Sequence, residues 1–218
     1  MAVEVLKIVP AALVAAVNVT ALLVLIAVLS WSKRAGIALV AAFGVVFLIF
    51  GLLMLGLGLT IPDESGSPVS GIIDLSLAGL LYIVGVAALL NRPRKAMEAI
   101  TRPRPDIGLH SGAALGAGLG ITNPSSLIPY TSALKDLSVA GIGVGGVALG
   151  DAVFLLILMA PMVTPLVVVY AFPRTSDRVL GRLSGFLVRH GHFLMGAMST
   201  GFAVYLTVKG VVLLRPFV

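Results

Sequence analysis

The feature that most constrains this chain is a succession of six apolar runs: Ile8–Trp31, Gly36–Ile61, Ser70–Leu90, Gly108–Thr131, Val139–Tyr170 and Gly191–Leu214. Charged residues are gathered into short islands between them. A hydrocarbon core of about 30 Å takes roughly 20 apolar residues of helix. Unsatisfied backbone polar groups are too costly there for anything but helices or closed barrels. The runs therefore predict an all-α integral membrane protein with six transmembrane helices. Only 11% of the 218 residues are charged, whereas a soluble domain carries about 25%. The first run exceeds a signal-peptide core of about 7–15 residues and has no A-x-A-like site at its far end, so it reads as a retained span.

The connections set the orientation. Lys33 and Arg34 lie between the first two runs. Arg92, Arg94, Lys95, Arg102 and Arg104 lie between the third and fourth, and Arg174, Arg178, Arg182 and Arg189 between the fifth and sixth. These are eleven of the fifteen basic residues, all on one side of a six-span chain. The other side holds Lys7, Lys135, Lys209 and Arg215, with Asp63, Glu64 and Asp136 in its loops. The positive-inside rule then predicts a multi-pass protein of the inner (plasma) membrane with both termini outside the cytoplasm. It also accounts for the net charge of +6 without a nucleic-acid partner. The absence of cysteine removes disulfides, thiolate metal sites and dithiol redox chemistry.

Asn91–Asp106, with three prolines and five basic residues, divides the chain into a first three-helix unit (1–90), a basic cytoplasmic linker (91–107) and a second three-helix unit (108–218). The units resemble one another. At an offset of 105 positions Asn18 meets Asn123, Thr20 meets Ser125, Leu22 meets Leu127, and Ala35-Gly36-Ile37 meets Ala140-Gly141-Ile142. Two residues later in register, Phe47-Leu48-Ile49 meets Phe154-Leu155-Leu156. Three spans is an odd number, so a duplicated unit enters the membrane from the opposite side. Such inverted repeats build a substrate site where discontinuous helices face each other near the midplane.

Within the fourth run, Gly116–Pro129 contains Asn123-Pro124 and a second proline, which remove backbone donors and bias Asn123 away from helix. The expectation is a broken helix whose polar run Thr122, Asn123, Pro124, Ser125 and Ser126 lines a substrate site with Asn18. A proline kink without a ligand is the plainer alternative. The fifth run is too long for one straight span, and Pro161 and Pro165 predict a second break there. Asp151, inside that run, reads either as a proton- or ion-coupling acid or as a helix-end carboxylate. Asp74, at the start of the third run, reads as a helix cap. Gly112, Gly116 and Gly120, Gly141 and Gly145, and Gly146 and Gly150 repeat at four and read as close-packing faces; on a lipid-facing side they would build a homodimer. The segment Pro173–His190 reads as an amphipathic interfacial helix or as a solvated loop. His110, His190 and His192 show no metal-ligand spacing. No catalytic residue, metal site or cofactor is expected, because Ser125 and Ser126 have no identifiable base.

Val14-Ala15-Ala16-Val17-Asn18-Val19-Thr20 with Ser32-Lys33-Arg34, the stretch Gly116–Ser126, and the Gly150-Asp151 span together resemble the LysE-like exporter superfamily. Within it they are most similar to the glycopeptidolipid- and sulfolipid-addressing (GAP/Sap) family of mycobacteria. The resemblance implies six spans, inverted halves and export of an envelope lipid. Relatives commonly have a proline near Asn18-Val19, so the first break is expected to be softer than the second. They often read Asn-Pro-Lys where this chain has Asn123-Pro124-Ser125. The thiol-redox branch is set aside for want of cysteine.

Three functions are therefore expected of such a chain. It exports an amphipathic envelope lipid or glycolipid, with membrane lipids around it; or it exports a small solute such as an amino acid or cation; or it is a scaffold docking lipid-synthesis proteins on its basic loops.

Overall fold

The computed structural model describes residues 2–56, 68–90 and 107–215. The linker Asn91–Asp106 and the acidic pair Asp63 and Glu64 lie outside the described residues. Every regular element described is an α-helix: α1 (Ala2–Lys7), α2 (Val9–Ala16), α3 (Val19–Trp31), α4 (Lys33–Gly56), α5 (Pro68–Leu90), α6 (Leu109–Thr122), α7 (Pro124–Val139), α8 (Gly143–Ala171) and α9 (Ser176–Leu214).

By length and composition α4, α5, α8 and α9 can each cross a membrane, and α2 with α3 adds a fifth crossing bent by 48°. The distribution of side chains agrees with an apolar solvent. In each of the four long helices the apolar window is only 28% buried, with Leu90, Val144 and Leu156 among the large side chains left exposed. The most polar helix, α7, lies inside with ten of its sixteen residues buried, alongside the apolar α3 with nine of its thirteen. In water so much exposed apolar surface on the long helices would forfeit the burial that drives folding.

Contacts fix the helix directions. Gly112 lies on Ala35, Gly116 on Leu39 and Gly120 on Val46, so α6 runs parallel to α4. Gly44 faces Met159 and Gly51 faces Asp151, so α8 runs antiparallel to α4. Gly71 meets Gly210 and Leu214 while Gly85 meets Thr200 and Gly196, which sets α5 antiparallel to the second half of α9. The most extensive helix pairings, α5 with α9 and α4 with α6, join the two halves of the chain.

Several expectations are corrected. The fifth run is not broken: α8 continues through Pro161 and Pro165. In a medium without water the cost of freeing further backbone groups favours keeping the helix. The actual breaks are at Val17-Asn18 and at Asn123. Pro173–His190 forms no separate helix, because α9 runs unbroken for 39 residues from Ser176. Its first part is nevertheless two-faced, with Leu180 and Leu187 buried and Arg178, Arg182 and Arg189 exposed. Gly141 and Gly143 have φ of 65° and 69° and make the turn between α7 and α8, a left-handed conformation that favours glycine. Gly141 and Gly145 face no neighbour, so they form no packing face. The Gly112–Gly120 face does pack closely, against α4 of the same chain.

Candidate functional site

Asn18 ends α2 and starts α3 with φ −98° and ψ 81°; Asn123 does the same between α6 and α7 with φ −101° and ψ 92°. Each side-chain oxygen caps the helix that follows: Asn18 Oδ1 accepts from the Ala21 N–H at 3.0 Å, and Asn123 Oδ1 from the Ser125 N–H at 3.2 Å. Such caps satisfy donors that a helix start leaves without an intrahelical partner. Pro124 suits the first helical position because its missing N–H is not needed there. Although the first break has no proline beside Asn18, its backbone departs from helix as far as the second.

The two breaks meet through Ser126. Its hydroxyl donates to the Ala15 carbonyl at 2.8 Å and accepts from Asn18 Nδ2 at 3.4 Å. Asn18 and Ser126 are both buried. Of the residues expected at the site, Asn18 and Ser126 are brought together, and Asn123 and Ser125 bond to each other. Pro124 is exposed, and Thr122, also exposed, donates to Gly118 of its own helix.

One turn further along α7, Tyr130 is fully buried and hemmed in by Phe47, Phe50 and Phe154 at ring separations of 5.3, 5.8 and 5.0 Å. Its Oη lies 2.6 Å from Asp151 Oδ1 and 3.0 Å from the Phe47 carbonyl oxygen. Asp151 is 5% exposed and is the ninth residue of α8, so it stands two turns inside the helix rather than at its end. Gly51 allows α4 to come this close, since a Cβ there would lie 2.4 Å from Tyr130 Oη.

At the end of α7 a charge quartet joins three helices, its Asp74 and Lys135 buried and its Asp136 and Lys209 partly exposed. The Lys135 ammonium pairs with Asp74 of α5 and donates to Ser70 Oγ at 3.2 Å. Lys209 of α9 pairs with Asp136 and stands 3.3 Å from Asp74 Oδ2 without hydrogen-bond alignment. Asp74 is completely buried and Lys135 is 7% exposed. These positions correct the expectation that Asp74 caps a helix and that Asp136 lies in a loop, since Lys135 and Asp136 both belong to α7. Two ammonium groups balance two carboxylates, so burial need not leave an uncompensated charge.

At the opposite end, where α3, α8 and the start of α9 converge, there is a cavity of about 450 Å³. Leu23, Ile26, Leu29 and Leu180 supply apolar walls; Ser30, Lys33, Asp177 and Ser184 add polar groups. The Lys33 ammonium sits 5.9 Å from the Tyr170 ring centroid beside it, within cation–π range. Among the described residues no group of His, Asp and Glu could hold a metal ion. Comparison with known protein families, curated proteins and solved structures finds no match to this chain.

Proposed function

We propose that the chain is a LysE-like membrane transporter of six spans, built as two inverted three-helix repeats, that exports an amphipathic envelope lipid or glycolipid. The observation that carries this reading is the pair of asparagine-capped breaks with matching backbone, joined through Ser126. Discontinuous helices that face each other leave polar backbone and side-chain groups where a passing headgroup can use them. The cavity between α3, α8 and α9 suits such a substrate, with aliphatic walls for a chain and Lys33, Ser30 and Asp177 for a polar end.

Alternating access supplies the mechanism. The cavity marks the open side, next to the basic residues Lys33, Arg34 and Arg174 and hence cytoplasmic by the positive-inside rule. The quartet Asp74, Lys135, Asp136 and Lys209 closes the other side. Asp151 is the coupling acid.

The test is flux into inverted membrane vesicles and liposomes holding the purified protein. A fluorescent glycolipid analogue should move with the wild type and at least tenfold more slowly with Asn18→Ala or Ser126→Ala. Movement of amino acids or cations instead would favour the small-solute exporter. Unaltered lipid movement by both variants would remove the site assignment. Loss of envelope lipid only on charge reversal in Asn91–Asp106 or Pro173–His190 would favour the scaffold.

A further inference from the structure

We infer that the coupling ion of this transporter is a proton held between Asp151 and Tyr130, and that Tyr130 is the positioning residue that turns its arrival into a grip of α7 on α4. This rests on the transporter reading and names its ion.

A tyrosine hydroxyl has one proton to donate and lone pairs that accept. Tyr130 Oη is within hydrogen-bond distance of two oxygens, Asp151 Oδ1 and the Phe47 carbonyl. If Asp151 is ionised, both neighbours are acceptors and one proton serves only one of them. Both bonds form together when the pair holds a second proton, with Asp151 protonated. The carboxyl then donates to Tyr130 Oη, and Tyr130 donates to the Phe47 carbonyl of α4.

Ionisation removes one link of that chain. The proton leaves to water, and the hydroxyl turns to the carboxylate, because a charge-assisted bond is roughly twice as strong as a neutral one. The bond to Phe47 is lost. Since α6 rests on α4 with Gly112 and Gly116 against its backbone, the pair α4–α6 is the body this switch would release from α7.

The surroundings leave Asp151 to titrate by this route. Helices α2 and α3 bring no titratable side chain at all. The cations of α4, Lys33 and Arg34, lie about 25 Å along the helix from Gly51. On α1 the titratable side chains are Glu4 and Lys7. On α7, Lys135 and Asp136 are engaged in the quartet, as is Lys209 of α9. The remaining titratable groups of α9 are Tyr205 and those of its first half, Asp177, Arg178, Arg182, Arg189, His190 and His192. A metal cation is poorly served here. Three oxygens do not make the several-ligand shell that hard cations take, and the space beside Asp151 Oδ2 is so narrow that a Cβ at Gly51 would lie 2.7 Å from it.

The test uses the full chain in liposomes, exploiting its lack of cysteine to place spin labels at Leu48→Cys on α4 and Leu127→Cys on α7. Infrared difference spectra should show a protonated-carboxyl stretch that disappears as pH rises, while the label distance lengthens over the same range. Asp151→Asn, whose amide still donates to Tyr130, should lack the band and keep the short distance at every pH. Tyr130→Phe should retain a shifted band with a distance that no longer follows pH. A wild type without a titrating band, or one whose distance follows sodium rather than pH, would overturn the proposal. A titrating band in a protein that moves no substrate would sink the transport reading instead.

Discussion

Asn18 and Asn123 do comparable work for the helices they start, yet only Asn18 also bonds across to the other break. Removing either cap should cost about 1 kcal/mol. The distinction lies in coupling. Asn18→Ala and Ser126→Ala remove the two ends of one contact, so their costs to unfolding in mixed micelles should add to more than the double variant loses. Asn18→Ala with Asn123→Ala should be additive, because the side chains share no bond. Equal coupling in both cycles would mean that the Asn18 to Ser126 contact holds nothing. At this scale the sequence was informative where chemistry is local. The Asn-Pro step announces a break by itself, whereas the break at Asn18 was legible only through its match to Asn123 at an offset of 105. Asp151 stood out as a lone carboxylate, but its partner Tyr130 did not, since a tyrosine in an apolar run is unremarkable until another helix brings an acid to it.

The helices show why spacing misled elsewhere. Pro161 and Pro165 resemble the break at Pro124, yet α8 absorbs them and the Thr164 hydroxyl donates to the Ala160 carbonyl. What differs at Asn123 is a side chain able to cap the next helix. The glycine repeats divide in the same way. A Cβ at Gly116 would lie 2.1 Å from the Leu39 carbonyl oxygen, which is backbone and cannot swing aside, whereas one at Gly118 would meet nothing. Gly116→Val should therefore force α6 off α4 and cost about 1–3 kcal/mol or more. Gly118→Ala should be neutral or stabilise by roughly 0.5–1 kcal/mol through helix propensity. Thermal unfolding of the purified variants checks both, and similar losses at the two positions would contradict the assigned face. Period four identified the helix; only the neighbour shows which of its glycines are needed.

For the molecule as a whole, apolar runs and charge islands were enough to predict a helical membrane protein. The quartet was hidden, because one at a time Asp74 reads as a helix cap, Lys135 and Asp136 as charges between two apolar runs, and Lys209 as a basic residue toward the end of the sixth run. A charge inside a span needs a partner, and here the partners come from three helices. The arrangement makes a prediction about the end proposed to be closed. Asp74→Asn leaves Lys135 and Lys209 sharing Asp136, and breaking a buried pair by removing one member costs about 3–5 kcal/mol. Adding Lys135→Met to Asp74→Asn restores the charge balance and should recover most of that loss, because Lys209 keeps Asp136. The recovery is measured by unfolding. Labelling of a cysteine at Ser70, which accepts from Lys135, reports whether the end still closes. If the double variant is stable yet Ser70→Cys labels faster than in the wild type, the quartet closes this end as well as holding the fold. If the double variant loses as much as its two single changes together, the four charges do not act as a unit, and closure must come from the apolar packing of α5 on α9.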